Sequence, residues 1–430
     1  MYPPESVRQS PSLAPSIRDG VDSKPLLGSK SVPTFEAVDF YNLDELLTED
    51  ERIARDAVRQ WVQDRFLPVV TQHYRAGTFP MELVPELAGL GVFGPSIKGY
   101  DCAGLGSIAA GLMMQELERG DSGLRTFASV QGSLAMMAIN LFGSSEQKSR
   151  WLPPMAQGRK LGCFALTEPD FGSNPGGLRC RARRTPDGYH LTGTKKWIGN
   201  GTIADVAVVW AKVEGEGEGD PDSADAICGF LVEKGTPGFT ASLIEGKLSL
   251  RAALTASLEF NDCAIPASAL LPQSGGLKSP LLCLNQARYG IAWGAIGAAM
   301  ACYDEARQYA MSRVQFGRPI GGFQLVQAKL ARMLTEISKA QLLAHRLAQL
   351  KDADTARHYH ISMAKMNNVE TALEIARTAR DMLGAVGILD EHQSFRHMCN
   401  LESVKTYEGT HDIHLLLLGE EITGMSAFAG

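Results

Sequence analysis

Hydrophobic periodicity changes twice along this chain, and that constrains its fold more than any other feature. Thr48-Glu49-Asp50-Glu51 reads as a helix-opening capping box, and Ile53, Ala54, Ala57, Val58, Trp61 and Val62 follow on one face at helical spacing. Leu67-Pro68 is expected to end that helix. Segments 81–91, 107–119 and 127–142 read as further helices, with a glycine-rich loop around Lys98-Gly99-Tyr100. From about residue 161 shorter runs replace them. Leu161 to Thr167, Tyr189 to Thr192, Val206 to Lys212, Ile227 to Val232 and Ser257 to Phe260 read as strands, punctuated by Pro, Gly and Asp. The acidic, glycine-rich run at 214–225 is expected to form a solvated hairpin loop. After Pro272 long helical patterns return at 279–311, 323–351, 355–383 and 393–427, lengths that pack as an antiparallel bundle. In the third of these, Ile361, Met366, Val369, Leu373, Ala376 and Leu383 keep an apolar face. The order predicts an α+β chain with domains near 38–158, 159–272 and 273–430, behind a disordered Pro- and Ser-rich tail over 1–37.

Length agrees, since 430 residues exceed a single hydrophobic core. With 44 % apolar and 21 % charged residues the chain reads as globular, not disordered. A net charge of −6 without a long basic stripe argues against nucleic-acid binding. No continuous apolar run is long enough for a membrane span. The cysteines at 102, 163, 180, 228, 263, 283, 302 and 399 are scattered, which predicts buried free thiols and no zinc site. His411 and His414 have a metal-like spacing, but nothing suggests a further ligand, and no metal is expected. The tail lacks the apolar core of a secretory signal, and Glu5, Asp19 and Asp22 weigh against a mitochondrial transit peptide.

Three separated segments carry a family resemblance. Leu166-Thr167-Glu168-Pro169, Gly172-Ser173 and Gly193-Thr194-Lys195-Lys196-Trp197-Ile198 resemble the flavin-binding strands of the acyl-CoA dehydrogenases. Arg313-Val314-Gln315-Phe316-Gly317, followed by Gln324, resembles the second flavin motif of that family. Tyr407-Glu408-Gly409-Thr410-His411-Asp412-Ile413-His414 resembles the catalytic segment of its glutaryl-CoA dehydrogenases. The resemblance covers about residues 38 to 428. It implies an N-terminal α-helical domain, a central β-barrel or sandwich and a C-terminal four-helix bundle. It also implies FAD, an acyl-CoA substrate, an electron-transfer flavoprotein or O2 as acceptor, and a homo-oligomer, typically a tetramer. The expected compartment is the cytoplasm of a bacterium or the mitochondrial matrix of a eukaryote.

The chemistry accounts for the residue types. Oxidising an acyl thioester between Cα and Cβ needs a base for the α proton and a hydride acceptor, and no side chain accepts a hydride. Glu408, alone, reads as a surface helix residue; the motif around it implies the catalytic base, its pKa lifted in a dry pocket. The resemblance makes the Glu408 backbone N–H and a ribityl hydroxyl of FAD the donors to the enolate oxygen, with Gly409 permitting close approach. Glu118 and Arg125 would share one face of a continuing helix. Alone they are an ordinary surface pair. The resemblance instead aims Arg125 at the distal carboxylate of glutaryl-CoA, with Glu118, Thr126 and Tyr407 beside it. Loss of that carboxylate as CO2 and protonation by Glu408 would give crotonyl-CoA. Asn285 and Arg288 match CoA contacts, although Arg288 alone reads as a helix-surface charge, and Ser173 matches a residue near CoA and flavin. By resemblance Leu166, Thr167, Trp197 and Ile198 surround the flavin ring. Arg313, Phe316 and Gln324 reach a neighbouring subunit's FAD. Gly384, Gly387, Thr410 and Asp412 complete the flavin set.

Three positions depart from the pattern. Gly199 stands where glutaryl-CoA dehydrogenases have threonine, a change shared with plant-type short-chain acyl-CoA oxidases; the vacated space is expected to admit O2. Gly384-Ala385-Val386-Gly387 replaces a Gly-Gly-Asn-Gly loop, which puts pyrophosphate binding there in doubt. Thr126 replaces serine and keeps the hydroxyl. Two rivals therefore stand beside oxidative decarboxylation: desaturation without decarboxylation or with O2, and a catalytically silent acyl-CoA or FAD-binding protein.

Overall fold

The computed structural model describes residues 32–214 and 222–428. The predicted tail falls mostly outside the described residues, but its end is anchored. Glu36 pairs with Arg307 at 2.6 Å, and the Phe35 ring lies under the guanidinium groups of Arg59 and Arg119.

Helix α1 (Glu49–Trp61) opens on the expected Thr48–Glu51 capping box. It does not end at Pro68. A π turn over Val62–Phe66 absorbs the proline's missing N–H, and α2 (Leu67–Ala76) continues with Pro68 in its first turn. Next come α3 (Val84–Gly89), α4 (Ser107–Gly120) and α5 (Ser122–Ser129). A second π turn over Val130–Met136 joins α5 to α6 (Met137–Phe142). Helix α7 (Ser145–Ala156) was not expected. Pro153-Pro154 reads as a breaker, yet the Ser144–Gln147 capping box starts the helix and the prolines fall in its last turns.

The middle of the chain is one seven-stranded curled sheet: β1 (Gly162–Ala165), β2 (Arg181–Thr185), β3 (Gly188–Gly199), β4 (Val206–Glu214), β5 (Ile227–Glu233), β6 (Phe239–Leu243) and β7 (Thr255–Pro266). Strands β1 and β2 lie in succession along one edge of β4, both parallel to it, and β5 lies antiparallel on the other edge. From β2 the sheet runs through β3 and β7 to β6. The predicted hairpin is thus the β4–β5 pair; residues 215–221 of its connection lie outside the described residues. Strands β2 and β6 escaped the sequence reading because neither shows apolar alternation: β6 is exposed along almost its whole length.

The C-terminal helices are α8 (Lys278–Ser312), α9 (Gln324–Asp352), α10 (His358–Met382), α11 (Gln393–Thr406) and α12 (His411–Thr423), with a small hairpin β8 (Val314–Gln315) and β9 (Arg318–Pro319) after α8. The expected helix over 393–427 is therefore two helices, broken at 407–410. Helices α4 and α8 pack almost backbone to backbone. A Cβ on Gly297 would lie 1.8 Å from the Gln115 carbonyl oxygen. Five of the eight cysteines are buried and Cys102, Cys228 and Cys399 are partly exposed; all are free thiols.

Candidate active site

The break between α11 and α12 presents Glu408. Tyr407 leaves α11 in extended backbone, Glu408 takes a left-handed φ of 56° and Gly409 follows at 92°. Thr410 then caps α12, its Oγ1 accepting from the Ile413 N–H at 3.2 Å. A Cβ on Gly409 would fall 2.8 Å from Nε2 of buried His414, so only glycine fits.

Three consecutive carbonyls of this break are gripped by cations. Arg288 Nε from α8 donates to the Glu408 carbonyl at 2.8 Å. Lys365 Nζ from α10 donates to those of Tyr407 at 3.1 Å and Gly409 at 2.7 Å. The Glu408 side chain makes no such bond. Its residue is only partly covered, but Oε2 is enclosed and without a hydrogen-bond partner. Burial pushes the carboxyl above the ordinary carboxylate range; Arg125, Arg288 and Lys365 oppose this without cancelling it.

Beside Glu408 stands Arg125, fully buried. Its Nε donates to Glu118 Oε2 at 2.7 Å, its Nη2 donates to the Tyr407 hydroxyl, and Tyr407 Oη lies 3.3 Å from Thr126 Oγ1. The third nitrogen, Nη1, is buried with no acceptor. Burial works against the Arg125 charge, but Glu118 more than offsets it and the guanidinium stays protonated. The phenol of Tyr407 is pushed up to about 12 by burial and remains a neutral donor.

Glu118 and Arg125 do not share one helix, as the spacing suggested. Helix α4 stops at Asp121, which is extended and caps α5 through the Gly123 N–H at 2.7 Å. The same buried carboxylate accepts from Arg396 Nε at 3.0 Å and Asn400 Nδ2 at 2.8 Å on α11, tying the arginine's helix to the one that delivers Glu408. Room for the Glu118–Arg125 pair comes from Gly294 on α8, where a Cβ would lie 2.1 Å from Glu118 Oε2. Sequence reasoning missed Asp121, Gly294 and Lys365. The one available signal was Lys365, a charge on a helix face that is largely apolar through Ile361, Val369 and Leu373.

The second group of expected residues lies where β1 ends beside β3. Leu166 is buried, and the Thr167 carbonyl accepts from the Lys196 N–H at 2.8 Å. Glu168 locks the junction by accepting from the N–H of Arg179 at 2.6 Å, the N–H of Cys180 at 2.9 Å and buried Lys195 Nζ at 2.9 Å. An irregularity in the β3–β7 pairing between Lys195 and Ile198 turns Trp197 outward, with φ 64° and 58 % of its surface exposed, while Ile198 stays buried. A large aromatic ring left uncovered at the ends of two strands suits a planar heterocyclic cofactor. Ser173 is exposed in the following loop. Gly199 does not leave the vacancy expected of it, because Val130 Cγ2 sits 3.0 Å from where its Cβ would be.

The remaining expected residues lie elsewhere. Asn285 is half-buried on α8, and its Oδ1 accepts from Arg288 Nη1 at 3.3 Å, so Arg288 is turned inward and is not a surface charge. Arg313 at the far end of α8, Phe316 on the hairpin after it and Gln324 at the start of α9 are exposed; Phe316 is 93 % exposed at φ 51°. Gly384 takes φ 63°, and a Cβ on Gly387 would lie 2.4 Å from the Arg380 carbonyl oxygen, so both glycines serve the turn that ends α10. Asp412 is exposed in the first turn of α12. Burial holds the His414 imidazole down at about 3, hence neutral. Among the described residues no helix is long and apolar enough to cross a membrane.

Comparison with known proteins agrees with this architecture. Sequence models of the acyl-CoA dehydrogenase N-terminal, middle and C-terminal domains match residues 48–159, 163–263 and 274–423. The mitochondrial short-chain specific acyl-CoA dehydrogenase of Homo sapiens is 36 % identical over 374 residues, covering 86 % of this chain and 90 % of that protein. A glutaryl-CoA dehydrogenase from Mycobacterium smegmatis, solved in complex with FADH2, is 49 % identical with a TM-score of 0.87, covering 90 % of this chain and 98 % of that one. The butyryl-CoA dehydrogenase of Megasphaera elsdenii is 31 % identical with a TM-score of 0.83, covering 87 % and 98 %. A helical domain, a curled sheet and a second helical domain, together with these matches, establish that the chain belongs to the acyl-CoA dehydrogenase family of FAD enzymes.

Proposed function

We propose that this acyl-CoA dehydrogenase oxidises and decarboxylates glutaryl-CoA to crotonyl-CoA and CO2, with Glu408 as the base. One observation carries the substrate choice: Arg125 Nη1 is enclosed, has no acceptor among the described residues, and belongs to a guanidinium near enough to Glu408 to feel its charge. Leaving one buried N–H of the paired guanidinium without an acceptor costs roughly 1–3 kcal/mol, and a plain fatty-acyl chain would leave this donor unmatched. A terminal carboxylate supplies the missing acceptor. Glu118 neutralises most of the Arg125 charge, and Tyr407 and Thr126 add neutral donors around the same end of the pocket.

Bound FAD supplies the hydride acceptor for the β hydrogen. The chain's own residues do the proton chemistry. Glu408 removes the α proton, and burial, by raising its pKa above the ordinary carboxylate range, makes it a stronger base for that task. The Glu408 backbone N–H is offered to the thioester oxygen as negative charge develops there. Arg125 holds the distal carboxylate through this step. Desaturation makes that carboxylate vinylogous to a β-keto acid, so it leaves as CO2 with the thioester as electron sink. Protonated Glu408 then returns its proton to the γ carbon.

Cofactor contacts extend beyond one subunit in this reading. About 36 Å of α8 separates Arg288 from Ser312 at 1.5 Å per residue, so Arg313, Phe316 and Gln324 cannot reach the site that Arg288 serves. They are assigned to the FAD of a neighbouring copy, which makes the active form a homo-oligomer, in keeping with a tetramer. As electron acceptor we favour an electron-transfer flavoprotein over O2, because Val130 occupies the space at Gly199 that O2 would need. Stopped-flow reduction with glutaryl-CoA and butyryl-CoA, followed by mass analysis for crotonyl-CoA, tests the reading. Accumulation of glutaconyl-CoA alone would reject decarboxylation, and equal turnover of both substrates would reject the carboxylate clamp.

A further inference from the structure

Lys365 lies about two turns into α10, 1 % exposed, among buried Ile361, Ser362, Asn368 and Val369 of its own helix. Burying an ammonium without a bonded carboxylate is costly, and the packing of α10 gives no reason for it. Among the described residues its hydrogen-bond acceptors are the carbonyls of Tyr407 and Gly409, one on each side of Glu408. The residue between them holds a left-handed backbone conformation that non-glycine residues rarely adopt unless their surroundings impose it.

From this geometry, and resting on the reading of Glu408 as the base, we infer that Lys365 is a positioning residue for the catalytic carboxylate: it clamps the backbone on both sides of Glu408 and favours its ionised form. Four groups face it: Glu408 from the break, Arg288 from α8, Arg125 from α5 and His414 from α12. Of these Glu408 is the one anion, and His414 is held neutral. Burial, with repulsion from Arg288 and Arg125, brings the Lys365 ammonium down to about 7. The charge on each group bears on the proton of the other. The sign is fixed: a proton on Lys365 favours the Glu408 carboxylate, so removing the Lys365 charge raises the Glu408 pKa.

The test uses FAD-loaded Lys365→Met, Lys365→Gln and Lys365→Arg. Flavin bleaching is followed across pH with saturating glutaryl-CoA and with butyryl-CoA. Both neutral variants should bleach about tenfold or more slowly with either substrate, while substrate affinity stays within about threefold. Their acid limb should move to higher pH by about one unit. Lys365→Gln keeps amide donors without charge, and Lys365→Arg keeps the charge, so the arginine variant should leave the acid limb in place. An unmoved acid limb in the neutral variants, or their failure to hold FAD at all, overturns the proposal in favour of a purely structural lysine. Failure of the underlying reading looks different: Glu408→Gln would then bleach as fast as the unmodified enzyme.

Discussion

The two ends of α8 serve regions built on opposite principles. Around Arg288 the charged groups are enclosed and held from within the chain, Glu118 by Arg125, Arg125 by Tyr407, and the carbonyls at Glu408 by Arg288 and Lys365, while Arg125 Nη1 and Glu408 Oε2 are left without partners. Around Arg313 the side chains stand in the open, and Phe316 at 93 % exposure touches little except Phe323. On the proposed reading, a site that moves protons has to exclude water and preset its charges, whereas a surface that only holds a cofactor's remote end can wait for another copy.

That contrast can be broken or sharpened by substitution. The largest effect is expected of Glu408→Gln, which should slow flavin bleaching by roughly a thousandfold or more while FAD stays bound. In the unmodified enzyme the bleaching rate should rise with pH through a pKa above the usual carboxylate range, because only ionised Glu408 accepts the α proton. Next, Arg125→Ala should lower kcat/KM for glutaryl-CoA by about a hundredfold or more and for butyryl-CoA far less; equal losses would make the arginine structural. Gly294→Ala gives a finer version of that test. The added methyl meets the flexible end of Glu118 and not backbone, so the fold should survive, the Glu118–Arg125 pair should open, and glutaryl-CoA turnover should fall about tenfold. The smallest effect belongs to the open region. Phe316→Ala should weaken FAD retention by about tenfold or less and leave the pH profile of bleaching unchanged, measured by dialysis against apoprotein formation.

Much of this was legible in the sequence because it rested on periodicity and on ordered motifs. The α–β–α order, the opening capping box and the long helices α8, α9 and α10 all fall where the pattern predicts. What escaped depended on the third dimension. A helix pattern over 393–427 cannot reveal that the chain breaks at 407–410, because the break is held by side chains from α8 and α10 far away in sequence. Likewise Glu118 and Arg125 do meet, but across a cap at Asp121 that α11 helps to fix. The absent side chain at Gly199 suggested a cavity; only the packing shows Val130 filling it.

One rod carries both regions, and this makes its length a measuring device. A single extra residue between Arg288 and Ser312 would swing the hairpin by about 100° relative to the carboxylate and advance it about 1.5 Å. Insertions of seven nearly restore the angle but displace the aromatic tip by about two turns. The stretch should therefore tolerate point changes on its outer face far better than any change in residue count, whatever the added residue's own helix preference.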